Sequence, residues 1–446
     1  MACFDEQAVE KSHEVDVESV ASSGPVEGDI YANAPAGKAT NFQAYVNIVS
    51  VLAGAGTLGL PAALRDAGWV GLIILALACA MAIYSNQKLI KCLYYDGRNR
   101  LREYPDVAAA AFGVPGRIVV TFFYNSIALG GPVLYLILTG TNIHSLASSV
   151  GSTITLKQWI MIAAAIMVVP IVLTKTMREV AFLSIFGALS TAIVVFIVMI
   201  AAIIDSKNFD EVMKPNGQLE PVHHDVAIPR NLPLALATFA FSYGGNVIFP
   251  HVEESMKHKS AWNKLILWGT LTVTLLYFLC STSGYAVYGD IVKSPIYMNL
   301  PEGATRTVST IIITLHVLLA IPLFMTTFNL QVEAALKLDS RGLSTKTEFI
   351  YRAILRTISM VVVATIALFF PYFGQMMSLL GALSDGMLTF VFPVVFYLKL
   401  YGFKSVGKAE LLVMVFVIIV GTAGSAVGTV DAIKELAKAY RGELDH

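Results

Sequence analysis

The sequence predicts an all-α integral membrane protein of eleven transmembrane helices, the first and sixth of them broken, and three observations carry that prediction. Of 446 residues, 56% are hydrophobic and 14% charged, whereas soluble domains carry about 25% charged residues. The apolar residues lie in blocks long enough to cross a bilayer, which takes about 20 helical residues. Two blocks are interrupted in the same manner: residues 46–61 read VNIVSVLAGAGTLGLP and residues 236–250 read LATFAFSYGGNVIFP.

Taken in chain order, residues 1–40 are polar, acidic and rich in Ser, Gly, Pro and Ala. They hold too little apolar surface to fold alone, so they read as a disordered cytoplasmic tail. The tail lacks the basic start and apolar core of a cleaved signal peptide, which leaves the first helix to direct insertion. The membrane domain is expected over 41–430, with spans at 42–64, 67–92, 116–148, 156–174, 179–204, 231–253, 264–288, 306–336, 350–370, 372–398 and 409–430. Residues 431–446 read as a short polar tail.

Charge orients these spans. With the N-terminus in the cytoplasm, the inward loops gather most of the basic residues, among them Lys88, Lys91, Arg98, Arg100 and Arg102 in one loop and Lys337, Arg341, Lys346, Arg352 and Arg356 in another. The opposite loops hold only Arg65, Lys157, Lys207, Lys214, Arg230, Lys293 and Arg306. The positive-inside rule therefore orients every span consistently. An odd span count puts the C-terminus outside the cell or in a lumen.

The long outer loop, near 205–230, joins spans five and six, where two five-helix repeats would meet. Its His223–His224 pair has neither cysteines nor helical spacing around it, and reads as solvated loop rather than a metal site. The four cysteines, Cys3, Cys79, Cys92 and Cys280, include none in a predicted outer loop and match no metal spacing. No Asn-x-Ser/Thr glycosylation sequon occurs. Nothing in the chain calls for a cofactor or for nucleic acid.

Each break has a chemical reading. In lipid the backbone can leave the helix only where protein or a water-filled cavity takes over its hydrogen bonds. Gly-interrupted, Pro-terminated helices in corresponding halves thus point to one transport cavity near the bilayer midplane. The first break, Gly54-Ala55-Gly56-Thr57-Leu58-Gly59-Leu60-Pro61, contains a GxGxxG pattern, but no strand precedes it, so a dinucleotide fold is excluded. Close helix packing is the competing explanation for small residues in a membrane helix. The second break, residues 241–250, adds Phe241, Tyr243 and Phe249 as walls for an apolar side chain. Freed N–H groups at a half-helix start suit an α-carboxylate, and freed carbonyls suit an α-ammonium or an ion. Together they suit a zwitterion.

These residues resemble the amino acid/auxin permease family. Residues 47–69, NIVSVLAGAGTLGLPAALRDAGW, resemble its first-helix signature; residues 238–256, TFAFSYGGNVIFPHVEESM, resemble its sixth-helix signature; and GYAVYGD at 284–290 resembles the turn closing its seventh helix. Among its members, the resemblance is to fungal-type neutral amino acid permeases of the plasma membrane or vacuole. The resemblance implies the fold of the bacterial leucine transporter, with spans one to five repeated upside down as six to ten plus an eleventh. It implies amino acid transport driven by a proton or sodium gradient. By motif it places substrate at Gly54, Ala55, Gly56 and Thr57 and at Phe241, Ser242, Gly244 and Gly245, with Tyr124 on the third span as a further wall.

Ionisable residues inside membrane spans are costly and are therefore functional candidates. His316 in the eighth span and Asp385 in the tenth are the deepest, with His144 near the end of the third. Glu253 and Glu254, just past the second break, stand where an inner gate would be. Sodium-coupled relatives resemble NLSNAIMGSGILGL on the first helix, with Asn where this chain has Ser50, and carry a Thr on the eighth helix where Ala320 aligns. Losing those oxygen ligands disfavours sodium. A proton needs only a titratable group in the path, and the ordinary histidine pKa near 6.5 favours His316. The expectation is proton-coupled symport of neutral L-amino acids. A non-transporting sensor on the same fold and a sodium symporter are the alternatives. An enzyme would need a nucleophile–base pair or a metal cluster that the breaks do not offer.

Overall fold

A computed structural model describes residues 31, 37–97, 100–174, 177–205, 211–213, 219–336 and 345–443. Among these, nine helices are long and apolar enough to cross a membrane. The fifth and sixth predicted spans complete the eleven: a helix whose apolar stretch is Leu189–Ile204, and a pair of helices each too short to span alone.

The first span is α1 (Asn41–Leu52), a 3-10 turn (Ala55–Gly59) and α2 (Leu60–Ala67). Thr40 caps α1 in a reciprocal capping box with Gln43, so the helix start is fixed two orphan N–H groups at a time. Then come α3 (Gly71–Leu93), α4 (Tyr104–Ser148), α5 (Leu156–Leu173) and α6 (Met177–Asp205). α4 is longer than the third predicted span because it includes a preceding amphipathic stretch, joined through Gly113 at φ 65°. That positive φ suits glycine and kinks the helix just before Pro115.

The outer loop carries a short antiparallel hairpin, β1 (Glu211–Met213) and β2 (Leu219–Pro221), the one exception to an all-helical chain among the described residues. The sixth span follows as α7 (Leu232–Ser242) and α8 (Phe249–Ser255), then α9 (Trp262–Tyr288), α10 (Ala304–Ala335) and α11 (Thr345–Phe369). The tenth span is α12 (Phe373–Leu380), a π-helical segment (Gly381–Val391) and α13 (Phe392–Tyr401). Last is α14 (Lys408–Arg441), which runs helically through residues expected as a polar tail.

The broken first span packs on α9, α6 and α7, and the broken sixth on the π-helical segment and α14. α10 lies along α4 and α6, and α5 along α4 and α11. The two broken helices therefore occupy the middle, enclosed by unbroken ones. Lipid-facing positions on α5, α11 and α14 carry exposed Ile, Val, Leu and Phe, such as Ile166, Ile358 and Ile419, as a bilayer solvent requires. The inverted-repeat, eleven-span fold is the one observed. Of the predicted N-terminal tail, residues 31 and 37–40 are described and are tied down: Tyr31 packs edge-on to Tyr94, Gly37 N–H donates to the Met256 carbonyl and Ala39 N–H to the Ser255 carbonyl. Residues 1–30 and 32–36 lie outside the described residues.

Candidate functional site

Both breaks occur where the sequence put them. α1 stops at Leu52, Gly54 is extended (φ −99°, ψ −166°), and the chain re-enters as the 3-10 turn before Pro61 restarts an α-helix in its first turn, a position that suits a residue without an N–H. α7 stops at Ser242, and α8 begins at Phe249 with Pro250 in its first turn. Between them the N–H groups of Gly245, Asn246 and Val247 have no hydrogen-bond partner among the described residues. Gly54 and Gly56 do not face the same way. Gly54 borders a cavity, while a methyl group at Gly56 would sit 2.9 Å from Ser242 Oγ and 3.2 Å from Phe241 Cδ1. The 3-10 turn thus presses the first break onto the second.

The cavity encloses about 480 Å³ of atom-free space, its mouth included, and is bounded by five spans. Ser50, Val51 and Gly54 come from the first, Tyr135 from the third, Gly187 from the fifth and Ile248 from the sixth. The eighth supplies His316, Leu319, Ala320, Leu323 and Phe324. His316 is 5% exposed and neither ring nitrogen has a hydrogen-bond partner among the described residues. Its ring stands edge-on to Tyr135, centroids 6.4 Å apart, and against Gly187, where a methyl group would come within 2.5 Å of Cε1. The Ser50 hydroxyl is also buried and has no hydrogen-bond partner among the described residues. Ser50 and Ala320, paired by the sequence argument about sodium, do line one cavity.

Asp385 lies on the π-helical segment, 4% exposed, and has no ion pair or hydrogen bond among the described residues. Its carboxyl rests on the second break: a methyl group at Gly244 would be 2.5 Å from Oδ1. The π-helical geometry leaves main-chain acceptors unused, and neighbours take them. Asn246 Nδ2 donates to the Leu388 carbonyl at 2.9 Å, Tyr104 Oη to the same carbonyl at 2.7 Å, and Ser85 Oγ to that of Phe390 at 3.1 Å.

Of the predicted substrate residues, Gly54 lines the cavity, whereas Gly56 packs on Phe241 and Ser242, and Ala55 and Thr57 are buried without lining it. Gly245 is packed under the Phe249 ring. Tyr124 reaches the second break, its hydroxyl donating to the Val247 carbonyl at 3.4 Å. His144 is not at the site; it is half-buried on α4 with Nδ1 3.5 Å from Ser148 Oγ. His224 stacks on Trp69 and contacts the Tyr285 and Ala286 carbonyls at 3.0 and 3.1 Å.

Sequence reasoning missed two tyrosines. Tyr135 follows the Gly130-Gly131-Pro132 run of the third span, a signal of close approach that would have found it. Tyr277, in the middle of α9, carries no local signal at all. Its hydroxyl contacts the Leu52 carbonyl at 2.7 Å and the Ser242 carbonyl at 2.5 Å.

At the end of the bundle where α8 finishes, Glu253 is fully buried. Arg100 Nε donates to its Oε2 at 2.9 Å and Tyr94 Oη to its Oε1 at 2.6 Å, with Lys259 Nζ 3.7 Å from Oε1. Arg100 also donates to the Pro250 carbonyl at 2.6 Å. A buried carboxylate with three such partners is compensated, and the cluster fastens α8 to the loop before α4. Glu254 remains more exposed, 3.9 Å from His251 Nδ1.

Comparison with known proteins agrees with this architecture. The model of the family described as transmembrane amino acid transporter protein matches residues 37–434. Amino acid transporter AVT1I of Arabidopsis thaliana is 28% identical over 412 residues, 90% of this chain and 96% of its own. Amino acid transporter AVT1J of the same plant is 29% identical over 87% of this chain and 89% of its own. Among solved structures, inward-facing Mhp1 superposes with a TM-score of 0.55 at 13% identity, covering 92% of this chain and 94% of that one. A Na+-coupled sialic acid symporter, substrate-bound and outward-open, gives 0.54 at 14%, with 88% and 89% covered. At such identities the likeness is one of fold.

Proposed function

The chain belongs to the transmembrane amino acid transporter family, and from that premise we propose that it is a proton-coupled symporter of neutral L-amino acids working by alternating access. The observation that carries the proposal is the meeting of both broken helices beside one cavity that holds an unpaired histidine. Freed N–H groups at Gly245, Asn246 and Val247 offer donors for an α-carboxylate, and the break carbonyls offer acceptors for an α-ammonium. Val51, Ile248, Leu319, Leu323 and Phe324 provide an apolar wall, and no Lys, Arg, Asp or Glu is among the cavity-lining residues. An apolar wall without a fixed charge favours neutral side chains over acidic or basic ones.

Proton coupling is supported by His316 and, at the second break, by Asp385. Each is a buried titratable group without a compensating partner among the described residues, the arrangement expected of a group that takes up and releases a proton during the cycle. Ser50 and Ala320 supply at most one side-chain oxygen where a sodium site would need several.

The plasma or vacuolar membrane with a cytoplasmic N-terminus is part of this proposal; the basic inner loops support the orientation. The Glu253 cluster then lies on the cytoplasmic side, where it would close the exit.

Uptake into proteoliposomes tests this. Saturable uptake of neutral amino acids should rise as the pH falls on the outer or lumenal face, persist with choline in place of sodium, and collapse with a protonophore. His316→Ala should flatten the pH profile and cut uptake about tenfold at low pH. Uptake that follows sodium after the proton gradient is collapsed would overturn the coupling; binding without uptake would make the protein a sensor.

A further inference from the structure

We infer that the Tyr277 hydroxyl stands where a coupling cation would otherwise bridge the two broken helices, making Tyr277 a positioning residue that closes this point to sodium. The inference rests on the reading of the breaks as the transport site. Leu52 is the last residue of α1 and Ser242 the last of α7, so their carbonyls lose the helical donors four residues on; the Leu52 carbonyl keeps the Gly54 N–H at 2.7 Å on its other lone pair. Both oxygens converge on one atom, Tyr277 Oη, at 2.7 and 2.5 Å. The buried Thr57 hydroxyl lies beside it.

Two carbonyl oxygens from different helices, brought together in a dry interior, repel each other unless something electropositive sits between them. A cation is one solution, and unwound carbonyls at broken helices are suited to it. A hydroxyl hydrogen shared between the two acceptors is the other. Here the hydroxyl is supplied by an unbroken helix. Tyr277 is 0% exposed, and its ring packs edge-on against Tyr243, centroids 5.2 Å apart, whose own hydroxyl is 2.9 Å from Thr274 Oγ1. The hydroxyl thus occupies the point between the two carbonyls. The point closed by Tyr277 lies between the first and sixth spans, apart from Ser50 and Ala320 on the first and eighth.

Tyr277→Phe deletes the hydroxyl and keeps the ring. In proteoliposomes with choline as the external cation, the variant should take up substrate about tenfold more slowly than wild type, the cost of one buried hydrogen bond. Millimolar sodium or lithium should restore several-fold of that loss while leaving wild type unchanged. Thermal unfolding of the purified proteins gives a readout independent of transport: sodium or lithium should raise the midpoint of Tyr277→Phe and not that of wild type or of Tyr243→Phe, which loses a neighbouring hydroxyl that touches neither carbonyl. A Tyr277→Phe variant as active as wild type in choline would overturn the inference, as would a melting curve that shows no sodium- or lithium-specific shift. Sodium dependence of wild-type uptake would instead overturn proton coupling, and the melting comparison would still judge Tyr277.

Discussion

The two breaks look alike in sequence and are held open by different means. The first depends on small size. Gly54, Ala55, Gly56, Thr57 and Gly59 let the chain tighten into a 3-10 turn, and only Gly54 of this run reaches the cavity. The second depends on partners. Asn246 is anchored to the Leu388 carbonyl of the π-helical segment, the Val247 carbonyl accepts from Tyr124, and Asp385 covers Gly244. A break made of small residues transmits movement by steric contact, so it tolerates no added volume. One made of hydrogen bonds can lose a bond and remain a break, at a cost set by that bond.

Four substitutions sharpen this contrast. The largest effect belongs to Gly56→Val, whose added carbons would start 2.9 Å from Ser242 Oγ and drive the breaks apart. Uptake should fall to background while the protein still inserts and elutes as a folded species on size exclusion. Normal uptake would show that the two breaks are not in steric contact.

Gly244→Ala comes next. Its methyl group would lie 2.5 Å from Asp385 Oδ1, and overpacking of this kind costs about 1–3 kcal/mol, so uptake should drop about tenfold or more. Adding Asp385→Ala should recover part of the melting temperature, though not the uptake if Asp385 carries a proton. A double variant no more stable than the single one would mean that the clash is not with Asp385.

Asn246→Ala removes one donor from the Leu388 carbonyl, which keeps the bond from Tyr104. The expected loss is about 1 kcal/mol, visible as a melting point lower by a few degrees, with uptake reduced and the break intact. Tyr124→Phe should do least, since its bond to Val247 is long at 3.4 Å and long bonds are weak. Uptake within about twofold of wild type is the expectation. If Tyr124→Phe proves as damaging as Gly56→Val, the second break is not held by distributed partners.

The comparison also shows which signals a linear sequence carries. Span number and the position of both breaks were legible because each is local: a run of apolar residues, a glycine that leaves the helix, a proline that restarts it. The charge bias of the loops was equally legible. Gly54 and His316, singled out because small or ionisable residues inside a span stand out against an apolar background, and Ser50, singled out by its place in the first-helix motif, all line the cavity. His144 stood out in the same way and lies elsewhere, since depth in a span does not say which face of the helix a side chain is on.

Sequence by itself determined the eleven spans, the family and the two places where the helix must break, because membrane burial forces every backbone exception to be paid for by residues next to it. Tertiary structure alone decided what each break faces. The π-helical stretch that carries Asp385 onto Gly244, the Tyr135 ring beside His316, and the Tyr277 hydroxyl between Leu52 and Ser242 all depend on contacts across the bundle. Such contacts join residues far apart along the chain, on helices whose relative rotation is set by packing against several neighbours at once, and no local pattern encodes that rotation.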